Sequence, residues 1–429
     1  MKKIQVLIFS IILFTLLLIL TLQTNAQHLS WELTVSPGES IQRAINNAAP
    51  NSTIFIEPGV YFEESYPIIV NKTVTLIGRN ADATIIDGQL AERQIFLVKS
   101  SGVRILNLTI QNTTTNELAG AAGIDLSDAR NVEVSYCKIK NCVNGIRLKN
   151  SSQCRIVRNE LRNNYLSGIY LRQSSSRNSI VENIISNNRN GIWVADTTCI
   201  ENRIYHNNFL ENQINKGGVG VGGIWHNGYP SGGNYWNDHN GSDKHWGPNQ
   251  DKLGSDGICD ESYGGDLDRY PFMAPLNFFA VGRWNNVEYY VSIASNHTIL
   301  KVHFDPNEAS ISYNVQGSPG IGFCRVAVSK QILWVERGHQ WIVLVNHTSV
   351  NPFVLDQYDE YTYLYFTYNH GTGATSIEII GTKAIPEFKK EIILMLLILL
   401  SGATTLARIR DKPKTFNSVN FLLEAESKL

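Results

Sequence analysis

A dominant charge sign is the first thing missing from this chain. Its 37 Lys and Arg are balanced by 38 Asp and Glu, for a formal net charge of −1, so no long-range field selects nucleic acid or another polyanion as partner. Metal-type cysteine spacing is missing too. Cys137, Cys142, Cys154, Cys199, Cys259 and Cys324 include no C-x-x-C pair; their connectivity does not follow from spacing, and a buried thiol is expected at Cys324. His206, His226, His239 and His245 show no H-x-H or H-x-x-x-H spacing, and Met273 is the sole methionine between two apolar ends. Both absences weigh against a copper site read from the residues alone.

What is present starts with those ends. "MKKIQVLIFSIILFTLLLILTLQTNAQ" sets Lys2 and Lys3 before a long apolar run that closes at Ala26; it reads as a signal peptide over residues 1–26, or as an uncleaved anchor. Near the other end an apolar stretch, 391–407, precedes Arg408, Arg410, Lys412 and Lys414. That pattern is the short limit of a transmembrane helix, with residues 408–429 as a cytoplasmic tail. The expectation is a single-pass protein on the extracellular face of the cell membrane. Eight Asn-x-Ser/Thr sequons between the ends, at Asn51, Asn71, Asn107, Asn112, Asn150, Asn240, Asn296 and Asn346, suit an exported glycoprotein.

Between the ends the chain repeats. "AGIDL", "NGIRL", "SGIYL", "NGIWV" and "GGIWH" recur on Gly123, Gly145, Gly168, Gly191 and Gly223, and a second frame carries Asn107, Asn159, Asn183 and Asn207. A period in the low twenties, built of short alternating strands divided by Asn and Gly, predicts a parallel β-helix with one coil per period. Asn141, Asn164 and Asn187, each four residues before a frame glycine, are expected to stack as an amide ladder. Alternation along a strand turns Ile124, Ile146, Ile169, Ile192 and Ile224 inward. Asp125, Arg147, Tyr170, Trp193 and Trp225 then face out as one column, with neighbours about 4.8 Å apart. Such a column is either a surface on which a polysaccharide stacks its sugar faces or a seam covered by the Gly-rich insertion or the following domain.

Both ends of the coil stack need closing. Upstream, Ile41, Ala44 and Ile45 predict a short amphipathic cap helix. Downstream, the Asp- and Gly-rich stretch carries Asp251, Asp256, Asp260, Asp266 and Asp268. Carboxylates on a Gly-bearing loop are hard oxygen ligands suited to Ca²⁺, although the spacing only loosely matches an Asp-rich calcium loop; the other reading is a turn-rich cap whose aspartates bond to backbone. From residue 277 to 383 seven alternating segments without the Asn-Gly frame predict a β-sandwich. The fold class expected is therefore all-β: a parallel β-helix over 36–275, then a small sandwich.

The coils "NGIRLKNSSQCRIVRNELRNNYLSGIYL" and the cap opening "GGNYWNDHNGSD" resemble the NosD-type right-handed β-helix family, also described as periplasmic copper-binding or carbohydrate-binding and sugar-hydrolase-like repeats. The resemblance runs from about Ser36 to Pro275. The later segment looks like a module attached to such helices in archaeal surface proteins, and "IPEF", Ile385 to Phe388, is similar to sorting signals of the Pro-Glu-Phe type. Copper enters through the family label alone, and no ligand is carried over. Three functions follow as expectations: binding of polysaccharide or surface glycan through the outward column, a polysaccharide lyase or glycoside hydrolase, or a metal accessory protein. The coils hold Asp125, Asp128, Glu160, Glu182 and Asp196 but no Asp-Asp pair and no Gly-His-Gly, so the carboxylate pair that glycoside hydrolysis uses is not visible.

Overall fold

The computed structural model describes residues 32–285, 287–355 and 360–385. The expected signal, transmembrane segment and tail lie outside the described residues, among which no helix is long and apolar enough to cross a membrane.

Residues 32–236 wind through three parallel sheets of nine, eight and seven strands, called here A, B and C. Successive coils stack Ile, Val, Leu or Phe from each sheet into columns of side chains that fill the core. In sheet C the column is Phe96, Ile124, Ile146, Ile169 and Ile192; in sheet B it is Ile110, Ile139, Leu161, Ile185 and Phe209. All of them are fully buried, each worth about 1.5–3 kcal/mol relative to exposure.

The frame glycine has a steric cause. A Cβ at Gly123, Gly145, Gly168 or Gly191 would stand 2.5–2.9 Å from the next coil's carbonyl oxygen and 2.6–2.9 Å from Ile139, Leu161, Ile185 or Phe209. The chain bends there against both the core and its neighbour, and no side chain fits.

Asparagine ladders form, in a different register from the one expected. Asn159, Asn183, Asn207 and Asn234 make one ladder; each backbone N–H donates to the next coil's Oδ1 at 2.9–3.0 Å. Asn164, Asn188 and Asn212 make a second, and Asn178 with Asn202 a third. Of the three asparagines expected to stack, Asn164 does. Asn141 and Asn187 instead take left-handed backbone conformations, φ 53° each, as does Asn107 at 58°, which is the turn chemistry Asn tolerates. Cysteines head the ladders: the amides of Cys137, Cys142 and Cys154 donate to Asn159, Asn164 and Asn178. All six cysteines are buried free thiols, Cys324 included.

The helix Ile41–Asn47 caps the upper end as expected. Ser40 accepts from the Arg43 amide at 3.1 Å, Glu63 accepts from the Ile41 amide at 2.6 Å, and Ile41 and Ile45 are fully buried. The lower end is closed by rings. Phe209 stacks on Trp236 at 4.2 Å, and Trp236 stacks on Tyr263 at 3.9 Å.

After the cap come two five-stranded antiparallel sheets sharing one core that includes Ile293, Ile311, Val326, Val343, Phe366 and Ile379. All seven expected segments are strands, joined by an eighth long strand, Leu276–Trp284, that opens the unit. This unit leans on the β-helix. Asn208 exchanges hydrogen bonds of 2.8 Å with both backbone groups of Leu276, and the buried Arg325 guanidinium donates to the carbonyls of Asp256 and Pro230 in the cap.

Candidate functional site

Sheet C presents the column that the repeat predicts, with two corrections. In register, Leu97, Asp125, Arg147, Tyr170, Trp193 and Gly217 stand side by side in successive coils. The column ends on Gly217, not Trp225. The frame at Gly223 belongs to sheet A, where Ile224 pairs with Arg203. There the alternation is inverted: Ile224 is 54% exposed and Trp225 is fully buried. Trp225 lies 5.7 Å from Trp236 and 6.2 Å from Phe209, and its indole N–H donates to the Val221 carbonyl at 2.9 Å. It is a plug for the open end of the core, where the final coil has no neighbour to bury its apolar edge.

The second correction concerns the polar end. Asp125 is 2% exposed and receives Arg147 Nη2 at 2.6 Å and Gln94 Nε2 at 3.2 Å. The other guanidinium arm donates to the Gly120 carbonyl. These two residues hold each other and pin the loop before Ala122, so they shape the groove instead of offering free charge to it. That loop carries Glu117, which pairs with Arg189 three coils further along at 2.9 Å, and so forms a wall beside the sheet.

What stays open on the floor is Tyr170 next to Trp193, both half-buried. The indole has room to lie across the following coil because residue 217 is glycine; a Cβ there would sit 2.5 Å from the ring. Beside the aromatic pair runs a second outward column, Ser127, Lys149 and Arg172, and the Arg172 guanidinium lies 6.0 Å from the Tyr170 ring centroid. The site therefore offers two adjacent apolar ring faces with cations at one side. Such a surface can stack pyranose rings and hydrogen-bond their hydroxyls.

The five cap aspartates are not brought to one centre. Asp268 is buried and terminates the first ladder: its Oδ2 accepts from the Asn234 amide at 2.7 Å and from Trp236 Nε1 at 2.9 Å, and Oδ1 accepts from the Tyr270 amide at 3.1 Å. The end of an amide ladder leaves two N–H groups without a successor, and an acceptor-only carboxylate satisfies both. Burial pushes its pKa up to about 6. Asp256 accepts from the Ile258 amide at 3.0 Å. Asp260 holds the amides of Lys244 and His245 and pairs with the His245 imidazole at 3.1 Å. Asp266 binds the Ser262 hydroxyl at 2.8 Å, and Asp251 is exposed. Among the described residues no group of three or more His, Cys, Asp or Glu is placed to hold a metal ion. This donor set does not fit Ca²⁺ as one site, and the histidines behave likewise. His206 is half-buried with its ring against the Ser231 carbonyl at 2.8 Å, and His239 sits on Cys259 at 3.3 Å.

Sequence reasoning missed a polar chain where the β-helix meets the two-sheet unit. Glu182 pairs with Arg158 at 2.6 Å, the Arg158 guanidinium lies 3.4 Å over the Tyr290 ring, and it donates to Tyr136 Oη at 2.7 Å. Tyr136 and Tyr290 share a hydrogen bond of 2.5 Å, and Tyr290 donates to Glu288. Arg158 and Glu182 stand at left-handed corners just past the strands Arg155–Val157 and Ser179–Val181, φ 55° and 60°, which reads locally as turn chemistry; Tyr290 and Glu288, which complete the chain, come from a segment more than a hundred residues away.

Residues 51–234 match the family model described as right handed beta helix region, and this part of the chain is accordingly a right-handed parallel β-helix. Among solved structures it is similar to the pectate lyase Pel9A, at 15% identity over 48% of this chain and 57% of that one, TM-score 0.37. It is also similar to the catalytic domain of a GH87 α-1,3-glucanase, at 17% identity over 53% and 49%, TM-score 0.35. A third likeness is to the alginate lyase from Paenibacillus sp. str. FPU-7, at 16% identity over 45% and 63%, TM-score 0.28. The chain thus matches about half to three fifths of the length of those proteins, and the likeness concerns the fold alone. No curated protein matches the chain.

Proposed function

We propose that this protein binds polysaccharide or surface glycan on sheet C, with Tyr170 and Trp193 as the stacking floor, and that it does so on the outer face of a membrane to which its C-terminal segment tethers it. The observation that carries the reading is the register of those two rings: adjacent coils, same outward column, half-open, on a flat rigid sheet. Rings fixed by a scaffold lose little entropy on binding, which favours stacking over induced fit. Arg147 and Asp125 act as positioning residues through the Gly120 loop. The tether rests on the apolar stretch 391–407 and its basic flank.

The test is glycan-array binding by the full chain in detergent, with Trp193→Ala in parallel. Removal of the indole is expected to weaken retention by about tenfold or more, the scale of a buried aromatic anchor, while the melting temperature stays put because the ring lies outside the core. Equal retention by the variant rejects sheet C as the site.

A further inference from the structure

We propose a second binding site, in the cleft between sheet A and the two-sheet unit, and assign it to a neutral saccharide. The cleft has a volume of about 650 Å³, inside the range of pockets that enclose small ligands, and it lies at a domain junction, where such pockets concentrate. It is distinct from the groove on sheet C, since sheets A and C are different faces of the coil.

Its chemistry argues for the ligand. Tyr205 from the β-helix faces Phe278, Tyr289 and Tyr290 from the two-sheet unit, so both walls bring aromatic surface. The charges cancel: Arg155, Arg158 and Arg325 line the cleft together with Glu182, Glu288 and Glu360. Two of the cations are already committed, Arg158 to Glu182 at 2.6 Å and Arg325 to two cap carbonyls. His206 adds no charge, because burial pulls its pKa down to about 4. A polyanion therefore finds no surplus of positive charge here, and a purely apolar ligand would leave carboxylates and amides facing it without hydrogen bonds. A sugar ring meets both demands, with C–H faces for the rings and hydroxyls for Glu288, Gln331 and Asn227. Gln331 already accepts from Tyr289 at 2.9 Å, which fixes that wall.

The test uses the full chain in detergent with neutral glucose and galactose hexasaccharides and, as contrast, a galacturonate hexasaccharide, measured by isothermal titration calorimetry. Val287→Trp, at a position 50% exposed on the rim, fills the cleft without touching a core; Tyr205→Ala removes one wall, and Trp193→Ala reports the sheet C groove. The expected result is a neutral hexasaccharide whose affinity falls about tenfold or more in both cleft variants and is retained in Trp193→Ala, with no galacturonate binding that depends on the cleft. Should Tyr205→Ala fail to fold by its melting curve, Val287→Trp decides alone. Neutral binding that survives both cleft variants, or no neutral hexasaccharide bound at all, overturns the assignment. Loss in Trp193→Ala only would uphold the groove and reject the cleft; loss in the cleft variants only upholds the cleft and does not bear on the groove, which the glycan array decides.

Discussion

Asn183→Ala is the sharpest test of how the β-helix is held together. The Asn183 side chain accepts from the Asn159 amide at 2.9 Å and from Asn159 Nδ2 at 3.0 Å. It donates to the carbonyls of Ile156 at 2.8 Å and Val181 at 3.0 Å, and to Asn207 Oδ1 at 2.9 Å. All of this is buried, with Asn183 1% exposed. Truncation removes the two accepted bonds and the two N–H groups that the three acceptors share, and it orphans at least the Asn159 amide inside a dry core. Taking about 1 kcal/mol net per bond, less where a carbonyl keeps its sheet partner, plus about 1–3 kcal/mol for the orphaned donor, the loss comes to about 3–5 kcal/mol. Asn187→Ala is the control. That residue is exposed and holds a left-handed φ of 53°, so alanine there costs about 1 kcal/mol of backbone strain and nothing in the core. The assay is urea unfolding of the full chain followed by far-ultraviolet circular dichroism, comparing midpoints at equal slope. Should the two variants unfold within about 0.5 kcal/mol of each other, the ladder register described here is wrong.

Three further outcomes follow from the same structure. Trp225→Ala should destabilise the chain by about 3–5 kcal/mol, as for other buried aromatics, whereas Trp193→Ala should cost less than about 1 kcal/mol; thermal melts of the two variants give the comparison. Gly168→Ala places a methyl 2.8 Å from both the Gly191 carbonyl and Ile185, and a loss of about 1–3 kcal/mol is expected from the forced shift, readable in the same melts. Burial pushes the Asp243 carboxyl up to about 7, above its unfolded value of about 3.9. Between those values the folded state keeps a proton that the unfolded chain has lost, so stability falls as pH rises from about 4 to about 7. Asp243→Asn should flatten that slope; an unchanged profile assigns the dependence elsewhere, Asp268 being the next group to replace.

The legible part of the fold was the part with a period. Ile124 through Ile192 point inward, and Asp125 through Trp193 outward, because strand alternation is a local property that each coil repeats. The cap helix was equally readable, since Ser40 and the Ile41–Ile45 pair form one continuous signal. The ladders were half readable. The frame showed that asparagines recur, but a shift of one residue separates Asn187, which makes a turn, from Asn188, which stacks. Choosing between them requires knowing where the corner of the coil falls.

Sequence by itself determined the all-β coil, its period, its inward column and the two segments with a different pattern at either side. Tertiary structure alone decided the rest. Trp225 repeats the outward motif yet turns inward, because the coil stack ends there and an unpaired apolar edge needs a lid. Asp125 and Arg147 look like a charged rim but cancel each other, because strand register sets them side by side. Asp268, one of five similar aspartates, stops the ladder because Asn234 has no coil beyond it. The cleft beside Arg158 exists only because a later segment folds back onto sheet A. Each of these outcomes depends on which distant groups arrive as neighbours, and a local pattern carries no record of them.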